Sequence, residues 1–223
     1  MGALGRLVML MMPITPRFVV GWVAKRYVAG PDLESALQVM RSMKSQGACF
    51  TLDVLGEEIT SLEEANFFVN EYHRALDAII AEDMDANISL KPTAFGLLID
   101  EKQALENIEK ITRIASNNNI FVRLDMEDNR VTQSTIDIVI EMHNRGLTNI
   151  GTVLQSRLFR TGEDITSLSS KLGGYSDVRI CKGIYLEPED IAHTKYHDIV
   201  LATNKAIDDL LDAGAYTAIA SHD

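Results

Sequence analysis

The chain has 223 residues, a formal net charge of -11 and two cysteines. This length suits one domain with a sizeable core, and barrels of alternating strands and helices often occupy about 250 residues. The acidic balance argues against nucleic acid as a partner, because phosphate binding needs a basic face. Two cysteines, both in predicted strands, favour a reducing compartment over a disulfide scaffold.

The first 30 residues differ in charge from the rest. They contain four basic residues and no Asp or Glu, so this arm is basic while the remainder is strongly acidic. Apolar residues at 18–23 would allow the arm to lie on a membrane surface. A helix packed under the domain is the favoured alternative. No run in the sequence reaches the roughly 18 apolar residues that a membrane span requires.

Apolar periodicity and turn residues divide the rest of the chain into alternating strands and helices. Helices are predicted at 33–46, 60–79, 100–115, 136–143 and 188–214. Strands are predicted at 48–55, 86–91, 120–125, 149–155, 178–182 and 217–221. Strands that alternate with helices of ten residues or more indicate βαβ units and a parallel sheet.

The parity of polar residues along these strands distinguishes a barrel from an open sheet. One side of the predicted sheet is apolar, and the other carries the polar residues Thr51, Asp53, Ser89, Lys91, Arg123, Asp125, Gln155, Arg179 and His222. An open sheet covered by helices on both faces would bury these charges, which is unfavourable for any left unpaired. In a barrel the same positions open on the ligand-binding mouth at the carboxyl ends of the strands.

We therefore predict an α/β fold, an incomplete (βα)8 TIM-type barrel with amino-terminal helices. About six of the eight βα units are visible in the sequence. Residues 1–46 are expected to form an amino-terminal helical arm and residues 47–223 the incomplete barrel. Because closure by six strands is improbable at this geometry, we expect either a chain cut short at its carboxyl end or a product that does not fold normally alone.

One stretch, residues 179–188, has the character of an anion site. A short strand carries two cations, Arg179 and Lys182, and turns over Gly183 into a helix predicted to open at Pro188. Lys182 and Lys91 each fit a Schiff-base nucleophile of the kind found in barrel lyases. A plain cation for a carboxylate or phosphate is the commoner role of such a lysine.

Other kinds of site find less support in the sequence. There is neither a glycine-rich dinucleotide fingerprint nor a P-loop. No metal site is predicted, because His193 and His197 lack the glutamate of a zinc protease and only Asp125 of its acidic neighbours would point inward. Arg123 and Asp125 either pair with each other as a structural bridge or act separately.

Seven short motifs, in register over essentially the whole chain, resemble those of the proline dehydrogenase family. They are RYVAG (26–30), LDVLGE (52–57), ISLKPT (88–93), VRLDMED (122–128), VLQS (153–156), VRICKGIYLE (178–187) and IASHD (219–223). The resemblance implies a flavoenzyme that binds FAD without a Rossmann fold. It also implies oxidation of L-proline to 1-pyrroline-5-carboxylate by hydride transfer to FAD, and passage of the electrons to membrane quinone.

The resemblance also implies roles for individual residues. Lys91 matches the lysine that meets the substrate carboxylate, Asp125 and Met126 match residues beside the proline ring, and Glu57 resembles a gate acid. The implied FAD contacts are Gln155, Arg179 and Lys182, with Gly183, Ile184, Tyr185, Ser221 and His222 around the cofactor. The expected location is the cytoplasm, peripheral at the inner face of the membrane.

Two departures from the family pattern shape the remaining expectations. Ile184 stands where the family usually has alanine, and this larger side chain close to the cofactor would alter the fit of the flavin. The family's final strands and last helix, with paired arginines for the proline carboxylate, have no counterpart in the sequence. We therefore expect the isolated chain not to oxidise proline. A Schiff-base lyase using Lys182 or Lys91, and an inactive truncated product, remain as alternatives.

Overall fold

The computed structural model describes residues 28–30 and 32–222. The predicted membrane-contact stretch at 18–23 lies outside these residues. Within the described part of the chain, no helix combines the length and apolar character needed to cross a membrane. The chain divides into two units, with the boundary between Cys49 and Phe50. The predicted domain boundary after residue 46 stays a prediction.

The described part of the first unit contains one helix, α1 (Leu33–Lys44). Its amino terminus is capped by Asp32, whose carboxylate accepts a hydrogen bond from the Ser35 amide at 2.9 Å. Such caps satisfy one of the amides that a helix leaves without an internal partner. The helix predicted at 33–46 is thereby confirmed, with an end two residues earlier than expected.

Six parallel strands of the second unit form one sheet, and each strand pairs with the next in chain order. They are β1 (Phe50–Asp53), β2 (Ala86–Leu90), β3 (Val122–Leu124), β4 (Ile150–Gln155), β5 (Asp177–Cys181) and β6 (Tyr216–Ala220). This sequential parallel order is that of a TIM-type barrel. The described strands form a half-barrel, which confirms the predicted incomplete barrel with six strands.

Five helices connect or follow these strands in the second unit. They are α2 (Leu62–Ala81), α3 (Glu101–Asn117), α4 (Thr132–Asn144), α5 (Thr161–Leu172) and α6 (Tyr196–Asp212). Short 3₁₀ helices occupy Pro92–Phe95 and Gly173–Tyr175. Helix α5 is not predicted from the sequence, although it fills the expected crossover between β4 and β5.

The predicted start of the last helix at Pro188 is wrong, because α6 begins only at Tyr196. The chain between these two residues forms a loop, and an antiparallel bridge joins Ala192 of this loop to Leu158 beyond β4. Backbone groups that bond to a neighbouring segment are not available for helical bonding. Tertiary pairing therefore replaces the helical turns that the proline suggested.

Burial alternates along β5, whereas β3 and β4 are buried on both sides. The apolar side, formed by Ile88, Leu90, Val122, Leu124, Val178 and Ile180, is almost completely buried. Each fully buried aliphatic side chain of this kind stabilises the fold by about 1.5–3 kcal/mol. The opposite side of the same strands carries polar side chains toward the interior of the half-barrel, where the candidate site lies.

Candidate functional site

Two cations and two carboxylates converge inside the half-barrel, three of them at the carboxyl ends of β1, β2 and β3 and the fourth in the middle of β5. Lys91 Nζ lies 3.1 Å from Asp125 Oδ2 and 3.8 Å from Asp53 Oδ2. On the other side of Asp125, Arg179 lies 3.6 Å from its Oδ1 atom. All four side chains are mostly buried, with exposed fractions between 19% and 28%. We name these four residues the charge cluster.

Alternation along parallel strands explains why these residues meet. Successive side chains of a strand point to opposite faces, and parallel strands present their carboxyl ends at one edge. Asp53 pairs in register with Ser89, and Ser89 pairs with Arg123. Lys91 lies two residues beyond Ser89, and Asp125 lies two residues beyond Arg123. Both side chains therefore point to the same interior side, closer to the mouth at the carboxyl ends of the strands.

Electrostatics hold Lys91 in its charged form. Burial lowers the pKa of its ammonium group, but attraction by Asp125 and Asp53 outweighs burial and raises the pKa above its ordinary value. A buried cation with two carboxylate neighbours is poorly suited to act as a neutral amine nucleophile. Lys91 is instead well suited to hold an anionic group of a ligand.

Two further polar residues support the cluster, and neither is predicted as a site residue from the sequence. Ser89 donates its hydroxyl proton to Asp125 Oδ1 at 2.6 Å. The hydroxyl of Tyr72, on α2, donates toward Asp53 Oδ1 at 3.0 Å. Parity places Ser89 and Asp53 inside the barrel, so that signal is available in the sequence. Tyr72 shows only the periodicity of a buried helix face.

The loop after β5 carries four predicted cofactor residues and is held by Arg157. The Arg157 guanidinium donates to the carbonyl oxygens of Tyr185, at 2.6 Å, and His193, at 3.2 Å. Gly183 has a φ of 98°, in the left-handed region that favours glycine. Lys182 Nζ lies 5.0 Å from the centre of the Tyr196 ring, in a cation–π arrangement.

Glu57 and Tyr185 join two loops at the mouth of the half-barrel. The Tyr185 hydroxyl donates to Glu57 Oε2 at 3.1 Å. Burial and the nearby negative charge of Glu57 raise the pKa of Tyr185, so its phenol remains protonated. The loop after β1 thus contacts the loop after β5, and the gate role predicted for Glu57 stays a prediction.

The remaining predicted site residues lie at different depths. Gln155 is buried; its amide donates to the Glu127 carbonyl at 2.6 Å, while its Oε1 atom has no hydrogen-bond partner among the described residues. Met126 is buried as well. In contrast, Ser221 and His222 are exposed just beyond β6, and the side chain of Ile184 is 85% exposed.

Arg123 pairs with Asp177 and not with Asp125, which settles the alternative left open by the sequence. The Arg123 guanidinium lies 2.7 Å from Asp177 Oδ1 and donates to the Thr152 carbonyl at 3.0 Å. Gly151, the register partner of Arg123 on β4, makes this contact possible. An added Cβ there would lie 3.1 Å from a guanidinium nitrogen and 2.3 Å from the Asp177 carbonyl oxygen.

Comparisons with known proteins agree with the motifs. A family model described as proline dehydrogenase matches residues 36–223. Proline dehydrogenase 2 of Bacillus subtilis (strain 168) is 36% identical over 200 residues, covering 90% of this chain and 65% of that protein. The proline dehydrogenase of Deinococcus radiodurans is 32% identical over 209 residues, with the same two coverages. The chain therefore belongs to the proline dehydrogenase family.

Solved structures show the same fold. Proline utilization A (PutA) from Bdellovibrio bacteriovorus, inactivated by N-propargylglycine, superimposes with a TM-score of 0.81 at 23% identity, covering 89% of this chain and 25% of that one. A mutant PutA from Bradyrhizobium japonicum gives a TM-score of 0.69 at 16% identity, over 78% and 21%. The chain spans about 65% of the length of the curated relatives.

Proposed function

We propose that the chain provides the charged substrate site of an L-proline dehydrogenase, which oxidises L-proline to 1-pyrroline-5-carboxylate. The observation that carries this proposal is the charge cluster at the mouth, in a chain that belongs to the family. Lys91 lies 3.1 Å from Asp125, and Arg179 lies 3.6 Å from the same carboxylate. Such alternating charges are complementary to an amino acid that bears both a carboxylate and an amine.

Each side chain of the site then has a defined task. The Lys91 ammonium, kept charged by its neighbours, binds the proline carboxylate. Asp125 faces the amine end of the substrate, where its negative charge attracts the ring nitrogen. Met126, which is buried, adds apolar surface beside the ring and helps exclude water.

The reaction converts a C–N single bond of the ring to a C=N bond. The ring carbon next to nitrogen loses a hydride, and the nitrogen loses a proton, so the nitrogen must first carry a free lone pair. Holding the carboxylate at Lys91 fixes the orientation of the ring, which is the chain's main contribution to such a step.

The family is generally flavin-dependent, and the donor set of the site fits FAD. Gln155 Oε1 is a buried acceptor without a partner among the described residues, which suits an N–H donor of the flavin ring. Arg179 and Lys182 supply positive charge, which would attract a phosphate group or the electron-rich ring of the flavin. FAD, when bound, supplies the two-electron acceptor for the hydride. We infer that Gln155, Arg179, Lys182, Gly183, Ile184, Tyr185, Ser221 and His222 would hold it.

We further propose that the electrons pass to a membrane quinone and that the protein works in the cytoplasm, peripheral at the inner face of the membrane. The support is the basic charge of the first 30 residues and their apolar stretch at 18–23. A Schiff-base lyase that uses Lys91 finds less support, because the raised pKa of Lys91 keeps its amine protonated.

The test is the visible absorption spectrum of the purified protein, made as the 223-residue chain and, where the gene continues, as the full-length gene product. Flavin bands that bleach on addition of L-proline support the proposal, and a colourless full-length product contradicts the FAD assignment. Lys91→Met should abolish bleaching by proline, whereas Lys102→Met, at a side chain that is 85% exposed, should retain it. Bleaching by the 223-residue chain alone would contradict the expectation that it is inactive by itself.

A further inference from the structure

Tyr72 connects helix α2 to the charged interior of the half-barrel. Its side chain is 1% exposed, and its hydroxyl lies among three polar groups of two strands. It accepts a hydrogen bond from the Val54 amide at 3.1 Å. It has a single proton and two acceptors for it, Asp53 Oδ1 at 3.0 Å and the nearer Ser89 carbonyl oxygen at 2.5 Å.

The choice between these two acceptors depends on the ionisation of Asp53. A charged carboxylate attracts the phenol proton more strongly than a neutral carbonyl does. When Asp53 takes up a proton, the phenol can turn its own proton to Ser89. Burial, together with the adjacent charge of Asp53, raises the pKa of Tyr72 itself, so the phenol remains a donor in both states.

Among the described residues, four groups from four different elements face Asp53. They are Tyr72 from α2, Lys91 beyond β2, Asp125 beyond β3 and Arg179 on β5. Burial raises the pKa of Asp53 above its ordinary value, whereas the Lys91 charge and the Tyr72 hydrogen bond oppose this increase. Burial therefore outweighs the two partners, and Asp53 takes up a proton more readily than an ordinary aspartate does.

We propose that Tyr72 is a positioning residue, whose hydroxyl holds the Asp53 carboxylate against Lys91 and sets the pH at which the net charge of the site changes. With every group of the charge cluster ionised, two negative charges balance two positive ones. Protonation of Asp53 changes the net charge of the cluster from zero to +1, which favours binding of a carboxylate ligand. This consequence for the substrate rests on the proposed function; the role of Tyr72 toward Asp53 does not.

The experiment is a pH titration of the aspartate carboxyl carbons by ¹³C NMR, in the protein labelled at aspartate. The Asp53 signal is identified by its loss in Asp53→Asn. In Tyr72→Phe the midpoint of Asp53 should rise by about one to two pH units, because the ionised form loses a hydrogen bond. Tyr175→Phe, which changes a tyrosine with a 64% exposed side chain, should leave that midpoint unchanged.

A second measurement needs no substitution at Tyr72. In the unmodified protein, the chemical shift of the Tyr72 hydroxyl proton should change with the same midpoint as the Asp53 carboxyl carbon. An unchanged Asp53 midpoint in a folded Tyr72→Phe protein, or a hydroxyl shift that stays constant through the Asp53 titration, would overturn the proposal. Neither measurement uses flavin or proline, so a failed proline assay and a failed titration are separate results.

Discussion

Replacing Arg157 tests how the loop after β5 is held at the mouth. Arg157 is 8% exposed, and its guanidinium donates to the carbonyl oxygens of Tyr185, at 2.6 Å, and His193, at 3.2 Å. The Tyr185 carbonyl precedes the loop that replaces the predicted helical turns, and the His193 carbonyl lies within this loop. Arg157→Met keeps a similar apolar stem and removes both hydrogen bonds.

The expected loss follows from the type of bond. A hydrogen bond that involves a charged group contributes about 1.5–3 kcal/mol, so the pair is worth at most about 6 kcal/mol. This range is already net of the bonds that the released carbonyls regain to water, and its lower end gives roughly 3 kcal/mol for the two bonds together. An effect of roughly 3 kcal/mol corresponds to about a hundredfold easier opening of the loop, at 1.4 kcal/mol for each factor of ten.

Native-state hydrogen exchange measures this opening directly. The amides of Ile191 and His193 are bonded within and beside the loop, to the carbonyls of Pro188 and Arg157. Both should exchange about a hundredfold faster in Arg157→Met. Arg145→Met is the matched control, because this arginine bonds to Glu141 at the end of α4 and should leave the loop amides unchanged. Equal exchange rates of these amides in the two variants would refute the role of Arg157 in holding the loop.

Two further predictions concern the interior and the loop turn. Arg123→Met should lower the free energy of unfolding, measured by urea titration, by about 3–5 kcal/mol, because the Asp177 side chain, 21% exposed, is left without its partner. Adding Asp177→Leu should restore much of this loss, and no recovery would contradict the ion pair. Gly183→Ala should lower the melting temperature more than Gly146→Ala does, although both glycines have positive φ. Only at Gly183 would the new Cβ meet Gln155 Oε1, at 2.6 Å, so equal losses would contradict this explanation.

Strand parity is enough to predict much of the site from the sequence. It places Lys91, Asp125 and Arg179 on one interior side, because a strand alternates its side chains whatever surrounds it. The barrel is predicted from the same alternation, because an open sheet covered by helices on both faces would bury these charges. Parity also places Asp53 inside the barrel, but it assigns this residue no role.

Loops and crossovers are harder to predict. The sequence pattern does not reveal helix α5, although its apolar residues Ile165 and Leu168 are buried. The helix expected from Pro188 is a loop in the structure, since that backbone bonds to the segment after β4 and to the guanidinium of Arg157. A proline reports a local preference, whereas a tertiary hydrogen bond overrides it.

The sequence by itself determined the order of the strands, the side of each strand that is charged and the membership of the family. These properties depend on local alternation and on motifs that can be counted along the chain. The tertiary structure alone decided which charges pair. Arg123 reaches Asp177 across Gly151, and Tyr72 reaches Asp53 from a helix. Such choices depend on the stagger of the strands and the reach of each side chain, which exist only once the sheet has curved.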